Sequence, residues 1–398
     1  MGSPCFIDFH HIISQFGTNA NEGKKVYNII LLSLGHTTFE SGDHMTQFYC
    51  PTKIWSGKGA LDALKNIQVK KVFLVTDPYF VASGKAADME KRMPGAVFQI
   101  FDQVRPDPPA ELAAKGAAAC SMFQPELLIA LGGGSAMDCA KAIRLAAEVP
   151  MRFLAIPTTS GSGSEVTSFS ILTHGDVKYP LIDPLLRPDM AILDEELLTS
   201  LPETLIADTG MDLLAHCVEA LAAKNRNGFT DALACSAASI VLRDLQASFA
   251  GDRSVRGALH EAATMAGMAF DQAGLGLCHA AAHVLGGETH LAHGRLCAML
   301  LPHVMQFNSQ AVGKQYARLA KICGCGAAAD SLSLRNLTAE IVRLRSALHI
   351  PATLRAAGIT LSDRERLAKL ILQDPCCDTN PVPVTERAVL QILEAVAG

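Results

Sequence analysis

Four side chains in the second half of the sequence have the types and spacing of metal ligands. In Gly210-Met-Asp212-Leu-Leu-Ala-His216 a carboxylate and an imidazole stand at i and i+4, so on a helix both project from one face. In Cys278-His279-Ala-Ala-Ala-His283 two imidazoles repeat that spacing, and His293 follows in His293-Gly294. Six of the 13 histidines fall between His260 and His303. A single buried histidine is most often a satisfied core residue, but an acid and three histidines on otherwise apolar segments are costly to bury without an ion. Such an ion polarises a substrate oxygen, and one carboxylate with three imidazoles suits Fe(II) or Zn(II). His290 reads as a surface histidine and His303 as a structural one. Cys278, next to His279, points about 100° away on a helix and reads as core packing.

A second group of residues has the chemistry of a phosphate cradle. Leu127-Leu-Ile-Ala-Leu-Gly-Gly-Gly-Ser135 is an apolar strand running into three glycines and a serine. Such a turn lets backbone N–H groups approach a pyrophosphate at a helix N-terminus. It is not the GxGxxG pattern, so a tight strand-to-helix turn without a ligand stays open. Asp138 and Lys141 follow on the expected helix, and Pro157-Thr-Thr-Ser-Gly-Ser-Gly-Ser164-Glu165 supplies a second loop of the same kind. Asp77 ends the run KVFLVT. A carboxylate there either caps the turn or accepts hydrogen bonds from a ribose 2′-OH, in which case it favours NAD over NADP.

The elements that position these groups fall into two halves. Strand-like runs at Lys71–Thr76, Ala96–Phe101, Leu127–Leu131 and Phe153–Ile156 alternate with helical periodicity at Gly84–Met93, Ala110–Phe123 and Ala136–Ala147. That alternation predicts a parallel sheet with crossover helices, a doubly wound, Rossmann-like α/β domain. Beyond Pro202 the strand-like runs stop, and Ala/Leu-rich segments at Ile206–Ala223, Thr230–Ala250 and Ser254–Ala269 predict an all-helical second domain. The expected division is a segment 1–44, a dinucleotide-binding domain 45–204 and a helical metal-binding domain 205–398. Residues 1–44 read as a leader, an interaction peptide or an extension.

Composition narrows the function classes. Hydrophobic residues make up 49% and charged residues 18% of the 398, which allows sizeable cores and argues against bulk disorder. A formal net charge of -5 with no basic run argues against nucleic-acid and anionic-membrane partners, leaving a small molecule. The 12 cysteines contain no CxxC pair and read as reduced thiols of a cytoplasmic protein. The apolar run Val26–Leu34 falls well short of the roughly 20 residues a membrane helix needs.

The blocks GGGSAMDCAK, PTTSGSGSEVTS, DTGMDLLAHCVEA and GLGLCHAAAHVLGGETHLAHGRLCAMLLPHV, in that order, resemble the signatures of the iron-containing (group III) alcohol dehydrogenases. KYPLIDPLLRPDMAILD, FTDALACSAA, AGMAFDQAGLGL and TNPVP are similar to the propanol and ethanol dehydrogenases of bacterial propanediol and ethanolamine use, many of which work inside microcompartments. The resemblance implies the dehydroquinate synthase-like fold, hydride transfer between NAD(H) and a short primary alcohol or its aldehyde, and iron, with zinc as the alternative. It places Asp212, His216, His279 and His293 on the metal positions and His283 on a non-ligand histidine that relays a proton. It places Gly133, Gly134, Ser135 and Asp138 in the cofactor loop, Thr158, Thr159 and Ser162 in the second loop, Asp77 on the adenosine ribose and Lys178 near the nicotinamide ribose. Asp107 is a further candidate for cofactor contact. Two departures stand out: Ser162 where threonine is usual, and Arg295-Leu296-Cys297 where small residues and asparagine are usual, which would alter the wall near the metal. A homo-oligomer, and docking to a microcompartment shell or its enzymes, belong to the same expectation. The alternatives are a zinc glycerol-type dehydrogenase, a dehydroquinate synthase-like lyase, and a non-catalytic shell-docking scaffold.

Overall fold

The apolar runs of the first half form one six-stranded parallel sheet, seen in a computed structural model that describes residues 46–175 and 177–398. The segment 1–44 lies outside the described residues. The strands are β1 (Lys53–Ser56), β2 (Lys71–Val75), β3 (Val97–Phe101), β4 (Leu127–Gly132) and β5 (Arg152–Pro157), with β6 (Phe169–His174) and β7 (Val177–Ile182) forming a separate antiparallel pair, and β8 (Met190–Leu193) returning to the sheet. The order across the main sheet is β1-β8-β5-β4-β2-β3, every pairing parallel. All six residues of β4 are buried, as a central strand covered on both faces requires.

Helices α1 (Pro78–Ala82), α2 (Lys85–Arg92), α3 (Ala110–Phe123) and α4 (Gly134–Ala147) connect these strands. From β2 the chain adds β3 on one side and then crosses to place β4 on the other. This reversal opens a crevice beyond the carboxyl ends of β2 and β4, where open α/β sheets bind ligands. Asp77 and the triple glycine stand at those ends. β1 and β8 have no counterpart among the strands expected from the sequence, since each is only four residues long. The β6–β7 hairpin was also not anticipated, because Pro180 interrupts its pattern.

The second half is helical: α5 (Glu203–Ala222), α6 (Gly228–Phe249), α7 (Arg256–Ala273), α8 (Leu277–Thr289), α9 (His293–Ile322), α10 (Asp330–Ala347), α11 (Arg364–Ile371), the single turn α12 (Cys376–Thr379) and α13 (Glu386–Ala397). Helix α5 runs through the middle, packed by α6, α7 and α9, and every residue from Gly210 to Ala222 is buried. A helix buried all round can carry polar side chains only where they have partners, so its Asp212, His216 and Glu219 mark a site. No helix among the described residues is long and apolar enough to cross a membrane.

Candidate active site and metal centre

Three helices bring these candidate side chains together. Helix α5 supplies Asp212 and His216, α8 supplies His279 and His283, and α9 supplies His293 from its first position. Asp212 Oδ1 lies 3.4 Å from His293 Nε2 and 3.7 Å from His279 Nε2. Together with the Cys297 thiol these atoms fall within 4.8 Å of one another. His216 adjoins these four, its ring stacked between Phe270 and His279 with centroids 4.5 and 4.4 Å away, which fixes its plane beside the cluster.

The donor set fits a bound cation on observations internal to the chain. Asp212 Oδ1, His279 Nε2 and His216 Nδ1 are buried without a hydrogen-bond partner, a costly state that an ion removes. The other side of His279 is firmly held, because its Nδ1 sits 2.6 Å from Glu219 Oε2. A carboxylate–imidazole pair of this kind fixes the ring so that Nε2 faces the ion. Glu219 also accepts the backbone N–H groups of Cys278 and His279 at 2.7 and 3.2 Å, capping α8 at the site. Burial alone would depress the His279 imidazole, but the carboxylates of Asp212 and Glu219 lift it to about 10. Burial pushes His216 down to about 3. Burial would raise Asp212, but the surrounding imidazoles hold it well below the usual carboxylate range.

Beside the cluster, His283 stacks on His293 with centroids 5.2 Å apart. Its Nδ1 is 2.8 Å from Asp374 Oδ2, and the Cys376 N–H donates to Asp374 Oδ1 at 2.8 Å. Burial would raise the Asp374 carboxyl, but the adjacent imidazole and the hydrogen bonds hold it near 2. His283 is thus oriented by a carboxylate, with its ring directed along a cavity of about 440 Å³ that also takes in Asp212, His216, His279 and His293.

The same cavity runs to the two glycine loops. Gly134, Ser135, Asp138, Thr159 and Ser162 line it. Gly132 has φ +151°, and a Cβ there would lie 2.6 Å from the Ala136 Cβ, so the turn into α4 admits glycine alone. Gly133 occupies the N-cap position of α4, with Thr159 of the second loop 3.3 Å from where its Cβ would be. Thr158 is buried, its N–H donating to Gly132 O at 3.0 Å, which ties the loops to one another instead of facing the cavity. The second loop is anchored on α7 by Ser160–His260 at 3.1 Å and Thr264–Glu165 at 2.5 Å. Lys178 and Asp107, both on the cavity wall, pair at 2.6 Å. Asp77 lies outside the cavity lining and caps α1, accepting the N–H groups of Tyr79 and Phe80 at 2.9 and 3.3 Å. The capping alternative is therefore realised, and its carboxylate still stands at the switch-point end of β2.

Known proteins share this fold. The family description "Iron-containing alcohol dehydrogenase" matches residues 51–195, and "Fe-containing alcohol dehydrogenase family, C-terminal" matches residues 206–397. The chain belongs to the iron-containing alcohol dehydrogenase family. It is 40% identical over 367 residues to 1-propanol dehydrogenase PduQ of Salmonella typhimurium, covering 88% of this chain and 99% of that one. It is 35% identical over 381 residues to an NADPH-dependent butanol dehydrogenase of Clostridium saccharobutylicum, covering 88% and 98%. Among solved structures, a sulfoacetaldehyde reductase from Bifidobacterium kashiwanohense in complex with NAD+ superposes with TM-score 0.81 at 26% identity, covering 89% and 99%. The chain is therefore an alcohol dehydrogenase of this fold, with iron and a nicotinamide nucleotide as the family's cofactors.

Three residues of this dehydrogenase's site did not emerge as site residues from the sequence. Glu219 completes an i, i+4, i+7 series with Asp212 and His216 on one face of α5, and that spacing was the available signal. Asp374 precedes the single turn α12 and Cys376 is its first residue, where no periodicity marks them. Arg295, one of the two departures, turns to Asp208 at 3.0 Å.

The helix crossing beneath the cluster is close enough to be tested. A Cβ at Gly294 would stand 1.8 Å from the Asp208 carbonyl oxygen, a backbone atom that cannot rotate away. Gly294→Ala is expected to cost about 1–3 kcal/mol or more, as overpacking does, and to displace His293. Denaturant unfolding together with metal analysis checks this, and an unchanged midpoint with full metal content would contradict it.

Proposed function

We propose that this dehydrogenase reduces a short aliphatic aldehyde, propanal or acetaldehyde, to the primary alcohol with NADH, and catalyses the reverse reaction. The observation that carries the reading is the juxtaposition in one cavity of buried unpartnered donors, an oriented histidine and a wall with Phe169 and Phe270 beside the metal cluster. Asp212, His279 and His293, with His216 alongside, would hold the ion. When bound, the ion supplies Lewis-acid polarisation of the substrate oxygen, and the nicotinamide supplies or accepts the hydride.

The chain's own residues do the rest. The glycine loops and the α4 N-terminus receive the pyrophosphate, and the Lys178–Asp107 pair on the wall of the same cavity orients the nearer ribose. Phe270 and Phe169 exclude water and offer no partner for a second hydroxyl, which disfavours polyols. His283, held by Asp374, passes a proton between the substrate oxygen and solvent. The Asp77 carboxylate repels a 2′-phosphate, which supports NADH over NADPH. We further propose a homodimer or larger assembly working in the cytoplasm, in a microcompartment, on the strength of the sequence resemblance alone.

An anaerobic kcat/KM series over acetaldehyde, propanal, butanal and glycerol or glyceraldehyde, with NADH and with NADPH, tests the reading. Propanal and acetaldehyde are expected at the top with butanal somewhat lower, because an apolar wall discriminates each methylene by only about 1–3 kcal/mol. NADPH is expected to be much the poorer donor, and Asp77→Ala to narrow the gap. A series headed by a polyol favours the glycerol-type alternative, and equal use of both nucleotides by the unaltered chain removes the role given to Asp77.

A further inference from the structure

Lys141 is wholly buried in α4, the helix that opens with the cofactor loop. Its ε-ammonium donates to Thr167 Oγ1 at 3.0 Å and to the Phe169 carbonyl oxygen at 2.6 Å. Both partners are neutral oxygens, and the carboxylates of Asp138, Asp271 and Glu165 act on the ammonium from beyond hydrogen-bond distance. Two of those acids are engaged elsewhere, Asp271 by Arg187 and Glu165 by the Thr264 hydroxyl. Burial lowers the proton affinity of the ammonium, and the three carboxylates oppose that. Taking an ammonium out of water is costly, and an apolar side chain of similar volume is often as stable in such a place. What distinguishes the lysine is what it holds. Three successive residues around the start of β6 are tied down. Ser168 donates through its N–H and its hydroxyl to Asp271 Oδ1 at 2.7 and 2.8 Å, Phe169 accepts from Lys141, and the Ser170 hydroxyl donates to the backbone oxygen of Asp138 at 2.9 Å. Phe169 lines the cavity and meets Phe270 edge-on, with ring centroids 6.2 Å apart. Of these ties the Lys141 bond is made to the Phe169 backbone itself, and it is charge-assisted.

We propose that Lys141 is a positioning residue for aldehyde selectivity: by gripping the Phe169 carbonyl from within α4, it fixes the Phe169 ring at a set depth above the cofactor loop. The inference rests on the reading of Phe169 and Phe270 as the aldehyde wall. A close-packed wall held at its backbone rejects longer chains by shape, because it does not give way. It also keeps a short aldehyde close to the cofactor, where misplacement by about 1 Å costs about 100-fold in rate. Lys141 does not line the cavity and acts through Phe169.

The test is a kcat/KM series with NADH over propanal, butanal, pentanal and hexanal, on full-length preparations matched for metal content and checked by thermal melting. The unaltered protein is expected to fall off along the series. Lys141→Met should lower kcat for propanal and narrow the propanal-to-hexanal ratio by about tenfold or more, the scale of one methylene in an apolar pocket. A merely structural lysine would lower the melting temperature and leave that ratio in place. Because Lys141→Met strands the Thr167 hydroxyl, the double variant Lys141→Met, Thr167→Val removes both partners together, which is gentler on the fold. It should show the same narrowing. Thr167→Val alone, with Lys141 still on the Phe169 carbonyl, should keep the ratio of the unaltered protein. An unchanged ratio in either folded Lys141 variant, or an equal narrowing in Thr167→Val alone, overturns the proposal and leaves the wall standing. Failure of both Lys141 variants to fold overturns it too, since the lysine then serves stability. A flat series in the unaltered protein overturns the reading of the wall and the proposal with it.

Discussion

His279→Ala is expected to leave the purified protein without bound metal and to lower kcat for propanal reduction by about 10³-fold or more. Lewis-acid stabilisation of a developing alkoxide is worth several kcal/mol, and each 1.4 kcal/mol is a factor of about ten in rate. Of the cluster imidazoles His279 should matter most. It bridges a ligand carboxylate 3.7 Å away and the orienting Glu219 at 2.6 Å, so its loss leaves two buried acids facing a void. The fold should largely persist, because α5, α8 and α9 pack through the apolar residues of the helical core. Metal analysis, circular dichroism and single-turnover kinetics on one preparation separate these effects. Full metal content in the variant would contradict the assignment.

His283→Ala is expected to behave differently: full metal content, little change in KM and a kcat lower by about 10²–10⁴-fold, the range for losing a positioned proton-transfer group. Asp374→Asn should cost about 10–100-fold, as is typical when the orienting partner of a functional histidine is removed. A purely structural Asp374 would leave the pH profile of kcat in place, whereas a positioning residue moves it. Because the Asp374 carboxyl is held near 2, below its unfolded value, its stabilising contribution is fully present above the unfolded carboxylate range. It is lost as pH falls through about 4 toward 2. Asp374→Asn should therefore lower the melting temperature at pH 7 and leave it less changed near pH 2. Unaltered kinetics and pH profile in both variants would remove the proton relay.

Much of this arrangement was legible in the residues because the signals are periodic. The i, i+4 pair on α5 and the repeat on α8 placed Asp212, His216, His279 and His283 on buried helix faces, and the structure brings them into one cavity. The helix Ala110–Phe123 and the strands around the triple glycine followed from alternation and breakers. What escaped has physical reasons. Strands of four residues, such as Met190–Leu193, are too short for a period to register, and they are settled by pairing with a strand more than a hundred residues away. Asp374 acts through a tertiary contact that nothing in its local sequence announces. Asp77 shows the converse: a strand-end carboxylate has one sequence signature for two roles, and the cap at Tyr79 and Phe80 is the one the geometry displays.

The central claim is that a metal held by the Asp212, His279 and His293 cluster supports nicotinamide-dependent aldehyde reduction. It is tested most directly by following NADH oxidation with propanal on one anaerobic preparation, first stripped of metal and then titrated with Fe(II). The account predicts no turnover above background in the stripped protein and activity that rises linearly to a plateau at one Fe(II) per chain. Equal turnover before and after the addition of Fe(II) would contradict it.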